Sequence, residues 1–317
     1  MRLDDERESS NVEDDRGQGG GGGSGFGGGG GFGGGLVPML FGFVLSRFGC
    51  GGVVVLGILL AIFGGLGNLG GLLGGGGAPT QQIGQPQDSA PDTRAGPAAA
   101  ATGQEDASKR FVRKVLASTE DTWAKLLPEQ ANVRYTDPRL VLYNGSDKPS
   151  GCGEVSSASG PFYCPADRKV YLDTSFFDEL SSRFGAPGDF AQAYVIAHEI
   201  GHHVQKLLGI SDQAEEAMAR ASTRQRNAIS VRLELQADCF AGIWAHANPD
   251  LLSPGDVDEA VKAATAIGDD RLQAAARGTV VPDSFTHGSS AQRVHWLQQG
   301  LSDGTIAGCD TFKAGTV

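Results

Sequence analysis

Apolar positions along the C-terminal two-thirds of this 317-residue chain recur with helical spacing. Between residues 105 and 127, Phe111, Val115, Leu116, Trp123 and Leu126 fall on one side, which predicts an amphipathic helix that Pro128 should stop. Further helices are expected over residues 176–184, 189–208, 221–247, 256–267 and 289–300, with Gly209 as the C-cap of the second. Two short runs, Arg139–Tyr143 and Lys169–Asp173, have the β-branched and aromatic character of strands. A few strands among many helices predict an α+β domain, mostly helical with a small sheet, over residues 105–317.

The pattern changes upstream. Residues 1–16 are polar and charged, and 17–35 are almost entirely glycine, so 1–35 is expected to be disordered. Residues 36–73 are apolar, with Arg47 as their only charge. The uncharged run 48–69 is long enough to cross a hydrocarbon core of about 30 Å, which predicts a single transmembrane helix. Arg2, Arg7, Arg16 and Arg47 precede that run, and no Lys or Arg follows it until Arg94. The asymmetry predicts a single-pass cell-membrane protein with a cytoplasmic N-terminus and an extracytoplasmic (periplasmic) domain. Residues 74–104 read as a flexible linker. A net charge of −11 argues against non-specific binding to nucleic acid. Of the five cysteines, Cys50 lies in the apolar run, and the other four lack C-x-x-C spacing. In an oxidising compartment Cys152–Cys164 would close a short loop and Cys239 could pair with Cys309.

The candidate chemistry sits in the helix over 189–208. His198 and His202 are four residues apart, hence on one face, where both can point at one metal ion. Glu199 is turned by roughly 100° from His198 and can reach a water on that metal without binding it. Two His ligands with a Glu general base are the zinc-protease arrangement. Between Phe190 and Gln205 no other carboxylate or cationic Lys or Arg occurs, so Glu199 is a lone acid in a buried helix and needs a partner. His203 reads as a packing or capping residue. A third ligand should come from another element. Glu234 can complete the set, and Asp238, four residues on, can accept the second ring N–H of a ligand histidine. Asp269, Asp270 and Asp283 are rival ligands. His287 is the candidate donor to the developing oxyanion, with Tyr171 and Tyr194 as alternatives. His246 and His295 read as helix-surface or core residues.

These motifs together resemble the putative neutral zinc metallopeptidase family of bacterial membrane-anchored proteins. The resemblance is carried by residues 7–14, Glu120-Asp121-Thr122-Trp123, Gly151-Cys152-Gly153 and Gly160-Pro161-Phe162-Tyr163-Cys164-Pro165. It continues through 194–209, 234–242, 266–272 and 281–288. It implies a zincin-type domain behind one membrane span. The Glu-x-x-x-Asp helix also looks like that of gluzincins such as thermolysin, which implies that Glu234 is the third ligand of Zn2+ and that Asp238 stands behind His198. The expected function is a membrane-anchored zinc-dependent metallopeptidase acting on protein or peptide substrates. Zn2+ would be held by His198, His202 and Glu234, with Glu199 as general base and His287 assisting. In zincins an edge strand beside the site helix pairs with substrate backbone, and Lys169–Asp173 is the candidate here. A non-catalytic adaptor that keeps the zincin fold, and a hydrolase of non-peptide amides, are the alternative readings. Substrate identity and oligomeric state are not legible in the chain.

Overall fold

The computed structural model describes residues 1–16, 98–145, 148–155, 160–313 and 315. The described elements run β1 (Val12–Asp14), α1 (Ala98–Ala131), β2 (Arg139–Tyr143), β3 (Lys148–Ser150), β4 (Gly153–Val155), β5 (Phe162–Cys164) and β6 (Lys169–Asp173). They continue with α2 (Ser175–Ser182), α3 (Asp189–Leu207), α4 (Ile210–Ala219), α5 (Thr223–Ala247), α6 (Asp256–Ala266), α7 (Asp269–Arg277) and α8 (Ser290–Asp303). The fold is mostly helical with a small sheet. Strands β1, β2 and β6 run parallel and β5 closes the far edge antiparallel, in the order β1-β2-β6-β5. Strands β3 and β4 form a separate hairpin. Cys152 pairs with Cys164, tying that hairpin to β5, and Cys239 pairs with Cys309, tying α5 to the C-terminal turn.

Helix α3 is buried along nearly its whole length, including Tyr194 to Gly201. A helix apolar all round must be covered all round. Here α1, α5, α6 and the sheet do so. Phe190 stacks on Trp244 of α5 at 5.7 Å, and Trp123 of α1 meets Phe240 edge-on at 5.5 Å. At the crossing of α3 and α5, Gly201 faces Ala237. A Cβ on Gly201 would lie 2.9 Å from the Ala237 carbonyl oxygen and 3.0 Å from its Cα, so only a glycine lets the two backbones meet there. Gly242 and Gly300 do the same where α5 crosses α8, each facing backbone of the other helix.

Several expectations are corrected. The transmembrane run, 48–69, lies outside the described residues, and among the described residues no helix is long and apolar enough to cross a membrane. The single-pass topology with its cytoplasmic N-terminus is overturned by the sheet itself. Strand β1 pairs with β2, Val12 opposite Leu140 and Asp14 opposite Leu142, so residues 1–16 and the domain form one body. One crossing between them would put them on opposite sides of a bilayer. For the same reason residues 1–16 are not a disordered tail, and the domain is not confined to 105–317. Residues 17–35 and 74–97 lie outside the described residues. Helix α1 starts at Ala98, inside the expected linker, and passes through Pro128 to Ala131, because a proline in the last turn removes only one ladder bond. Strand β6 is flanked by β2 and β5, so its backbone groups are committed and it is no substrate edge. Gly209 takes a left-handed conformation (φ 73°) but joins α3 to a further helix, α4.

His203 packs, as its position suggested. It is fully buried, between Tyr163 of β5 and Thr136 before β2. A carbonyl only accepts, so Nε2–H donates to the Thr136 oxygen at 2.7 Å, and the Tyr163 hydroxyl donates to Nδ1 at 3.0 Å. Burial holds its pKa down at about 4, against the hydrogen bond to Thr136, so the ring is neutral in the fold. A His depressed by folding contributes stability above its unfolded pKa and loses it as pH falls.

In metal-free protein, the apparent Tm should therefore fall between pH 6.5 and pH 4 by an amount equivalent to about 3 kcal/mol. His203→Gln, compared by calorimetry over that window, should flatten the slope; an unchanged slope would assign the pH dependence elsewhere. Gly201→Ala should cost about 1–3 kcal/mol in denaturant unfolding, because backbone rather than a flexible side chain must yield. No cost would mean that the crossing at Ala237 can slide.

Candidate metal centre

The crossing at Gly201 sets the site. Helix α3 turns His198 and His202 toward α5, and α5 presents Glu234 and Asp238 on one face. His198 Nε2 lies 3.3 Å from Glu234 Oε2, and His202 Nε2 lies 3.6 Å from Glu234 Oε1. One ligand atom from each of the three residues lies within 4.8 Å of the other two. Bonds of about 2.0–2.1 Å arranged tetrahedrally have ligand–ligand edges of roughly 3.3 Å, so two imidazole nitrogens and a carboxylate at this spacing fit a zinc ion. The Glu234 carboxylate is pushed well below the usual range: burial opposes this, but His287, His202 and His198 outweigh it. It is therefore ionised, the form in which it can bind a metal.

Behind His198 lies a buried polar network. Asp238 Oδ1 is 2.8 Å from His198 Nδ1 and accepts from the Tyr194 hydroxyl at 2.6 Å. Arg293 of α8 donates Nε–H to Asp238 Oδ2 and Nη2–H to Oδ1, both at 2.9 Å, and Asp238 and Arg293 are both buried. Burial works against the Asp238 charge, but Arg293 and His198 hold its pKa below the usual value. Burial also works against charge on His198, yet Asp238 and Glu234 raise its pKa to about 10 in the metal-free site. His198 Nδ1 faces a carboxylate, so in the neutral form that a metal requires Nδ1 keeps the proton and Nε2, toward Glu234, is the nitrogen free to bind. His202 is fixed similarly: its Nδ1–H faces Gln205 Oε1 at 2.9 Å, and Gln205 is held by the Leu233 carbonyl at 2.7 Å and the Gln236 side chain at 3.1 Å.

His287 lies in the loop before α8. Asp269, the first residue of α7, grips that loop. Its Oδ2 accepts the backbone N–H groups of Thr286 (2.6 Å), His287 (2.7 Å) and Gly288 (3.2 Å). Its Oδ1 is 3.3 Å from His287 Nδ1. Partial burial opposes charge on His287, but Glu234 and Asp269 raise its pKa. Glu234 is therefore among its electrostatic neighbours. Glu199 is buried at 7% exposure on the same helix as the two histidines.

The rivals are committed elsewhere. Asp269 holds the His287 loop, Asp270 caps α8 through the Ser290 N–H at 2.7 Å, and Asp283 lies on the surface 3.3 Å from Arg224. Tyr194 serves Asp238, and Tyr171 donates to Asp167 at 2.7 Å, so neither hydroxyl is free for an oxyanion. His246 bonds the Leu301 carbonyl at 2.8 Å and His295 packs on Trp296, both away from the site. A second acidic group, Asp189, Asp256 and Glu259, also lies close together. The Met1 amino group sits 2.7 Å from Asp189 and 3.4 Å from Asp256, and Glu259 accepts the Phe190 N–H at 3.1 Å.

The sequence reading missed Arg293 and Gln205. Arg293 had a legible signal: with Trp296, Leu297 and Gly300 it forms the i, i+3, i+4, i+7 stripe that α8 buries. An Arg on a buried stripe requires an acid opposite it. Gln205, three residues after His202, carried no signal beyond its helical spacing.

A family profile described as putative neutral zinc metallopeptidase matches residues 1–312. The uncharacterized protein YpfJ of Escherichia coli K12 is 44% identical over 314 residues, covering 98% of this chain and 99% of the relative. The uncharacterized protein Rv2575 of Mycobacterium tuberculosis H37Rv is 42% identical over 224 residues, 65% of this chain and 73% of the relative. No solved structure matches the chain. With the profile running from the N-terminal strand to the C-terminal turn, this chain belongs to the putative neutral zinc metallopeptidase family.

Proposed function

We propose that this protein hydrolyses peptide bonds in protein or peptide substrates, using Zn2+ held by His198, His202 and Glu234. The observation that carries the reading is the convergence of three donor atoms within 4.8 Å, each from a side chain oriented from behind or held ionised. When bound, zinc acidifies a water and polarises a carbonyl. Glu199 follows His198 on the helix, projects off the ligand face, and is the group to take the proton of the attacking water. It then delivers that proton to the leaving amine. With Nδ1 of His287 turned toward Asp269, it is the protonated ring, the form that Glu234 and Asp269 favour, whose Nε2–H can donate to the developing oxyanion. Asp238, Gln205 and Asp269 do not touch substrate in this scheme; each fixes the tautomer or direction of one histidine. With β6 internal, pairing with substrate backbone falls to β5, the outer strand, whose Tyr163 touches His203 of α3.

The test uses the full chain, since residues 1–16 belong to the fold. Elemental analysis should find one zinc per chain, removable by chelator. Glu199→Gln should keep the zinc and lose cleavage of a peptide library by roughly 10²–10⁴-fold. Bound zinc with no Glu199-dependent cleavage of any peptide would sink the peptidase reading and leave the adaptor or non-peptide amidase. Arg293→Met should weaken zinc binding about 10–100-fold by freeing Asp238 and thus His198, and Arg293→Lys should restore part of it. If Arg293→Met lowers the Tm of the metal-free chain but leaves zinc affinity intact, the guanidinium is a packing element only.

A further inference from the structure

Residues 1–16 are held as a bound peptide would be. Strand β1 adds to the edge of β2 in parallel register, extended by Leu140 N–H to the Asn11 carbonyl and Asp15 N–H to the Leu142 carbonyl, both at 2.9 Å. The Ser9 N–H reaches the Arg113 carbonyl of α1 at 3.0 Å, and Arg113 Nε returns a bond to the Ser9 carbonyl at 2.8 Å. Beneath lies a buried carboxylate, Glu120, exposed by only 3%. It accepts from the Ser9 hydroxyl (2.6 Å), the Asn11 amide (2.8 Å) and the Arg7 guanidinium (2.8 Å). All three donors come from the segment, at alternate positions just before β1.

Charge is also complementary. The segment is acidic, and α1 with the sheet face it the opposite way. Lys109 pairs with Asp14 at 2.9 Å, Arg113 with Glu8 at 2.6 Å, Lys169 with Glu13 at 2.8 Å and Arg139 with Glu13 at 3.3 Å. Main-chain pairing supplies affinity and alternate side-chain contacts supply specificity, as in strand-addition recognition.

We propose that the face formed by α1 and β2 is a binding groove for an acidic extended peptide carrying Arg, Ser and Asn at alternate positions. Residues 1–16 occupy it as a ligand rather than through their covalent connection. Nothing in this proposal depends on the metal or on peptide hydrolysis. The occupant is needed: without it Glu120 would keep a buried charge without donors, and the β2 edge would lie open.

The experiment places a protease recognition site within residues 17–97 of the full chain and cuts the folded protein. At low salt the two fragments should co-elute from a sizing column with Tm unchanged. A fluorescent peptide of residues 1–16 should exchange into the cut protein within a day. It should enter uncut protein far more slowly, because the tethered segment rebinds intramolecularly in competition with it. Arg113→Glu, at a half-buried surface site, should weaken peptide binding at least tenfold, and raised salt should weaken it further. Separation of the fragments at low salt, as soluble or precipitated pieces, would overturn the proposal. So would failure of the peptide to enter the cut protein, or tight binding indifferent to Arg113→Glu.

Discussion

Everything in the site depends on how closely two helices cross. Gly201 of α3 and Ala237 of α5 touch backbone to backbone, and one methyl group at Gly201 would hold them apart. Glu234 and Asp238 flank Ala237 on α5, and His198 and His202 flank Gly201 on α3, so the contact point is also the centre of the four-residue cluster. Moving the helices apart by the thickness of a side chain would take Glu234 out of reach of both histidines at once. The second crossing, at Gly242 and Gly300, brings α8 to the other side of α5 and carries Arg293 to Asp238.

That geometry puts charge in the interior, and the arrangement of charge makes it tolerable. Arg293, Asp238, His198 and Glu234 form a line of alternating partners, each buried or nearly so and each within hydrogen-bonding or ion-pair distance of the next. A buried ion is costly alone and tolerable when paired and hydrogen-bonded. The consequence is direction: His198 can turn only one way, with Nδ1 toward Asp238 and Nε2 toward Glu234. The grip of Asp269 on three consecutive N–H groups gives the loop of His287 a comparable fixed direction without placing it on a helix.

Much of this was legible residue by residue. The His-Glu-x-x-His spacing identified one face of one helix, and the pair Glu234 and Asp238 could be matched to it because both sit four apart. Strands Arg139–Tyr143 and Lys169–Asp173 were found at their observed bounds, since five residues suffice to display strand character. The three-residue strands were not found, because a run that short displays no period. Helices α4 and α7 escaped because Gly209 and Gly268-Asp269-Asp270 read as stops and turns; both features instead begin new helices.

What the sequence displayed by itself was the local chemistry: residue types able to hold a metal, their spacing on α3 and α5, and an acid beside the two histidines. Those depend on neighbours one helical turn apart, or on residue identity alone. What only the tertiary structure decided was partnership at a distance. It brought Glu234, rather than Asp269, Asp270 or Asp283, to the two histidines, set Tyr194 on Asp238 behind His198, and put β6 inside the sheet. It also returned residues 1–16, which read as a free acidic tail, to the edge of β2. Their charges look solvated in one dimension and are met by Lys109, Arg113, Arg139 and Lys169 only once the chain has folded back on itself.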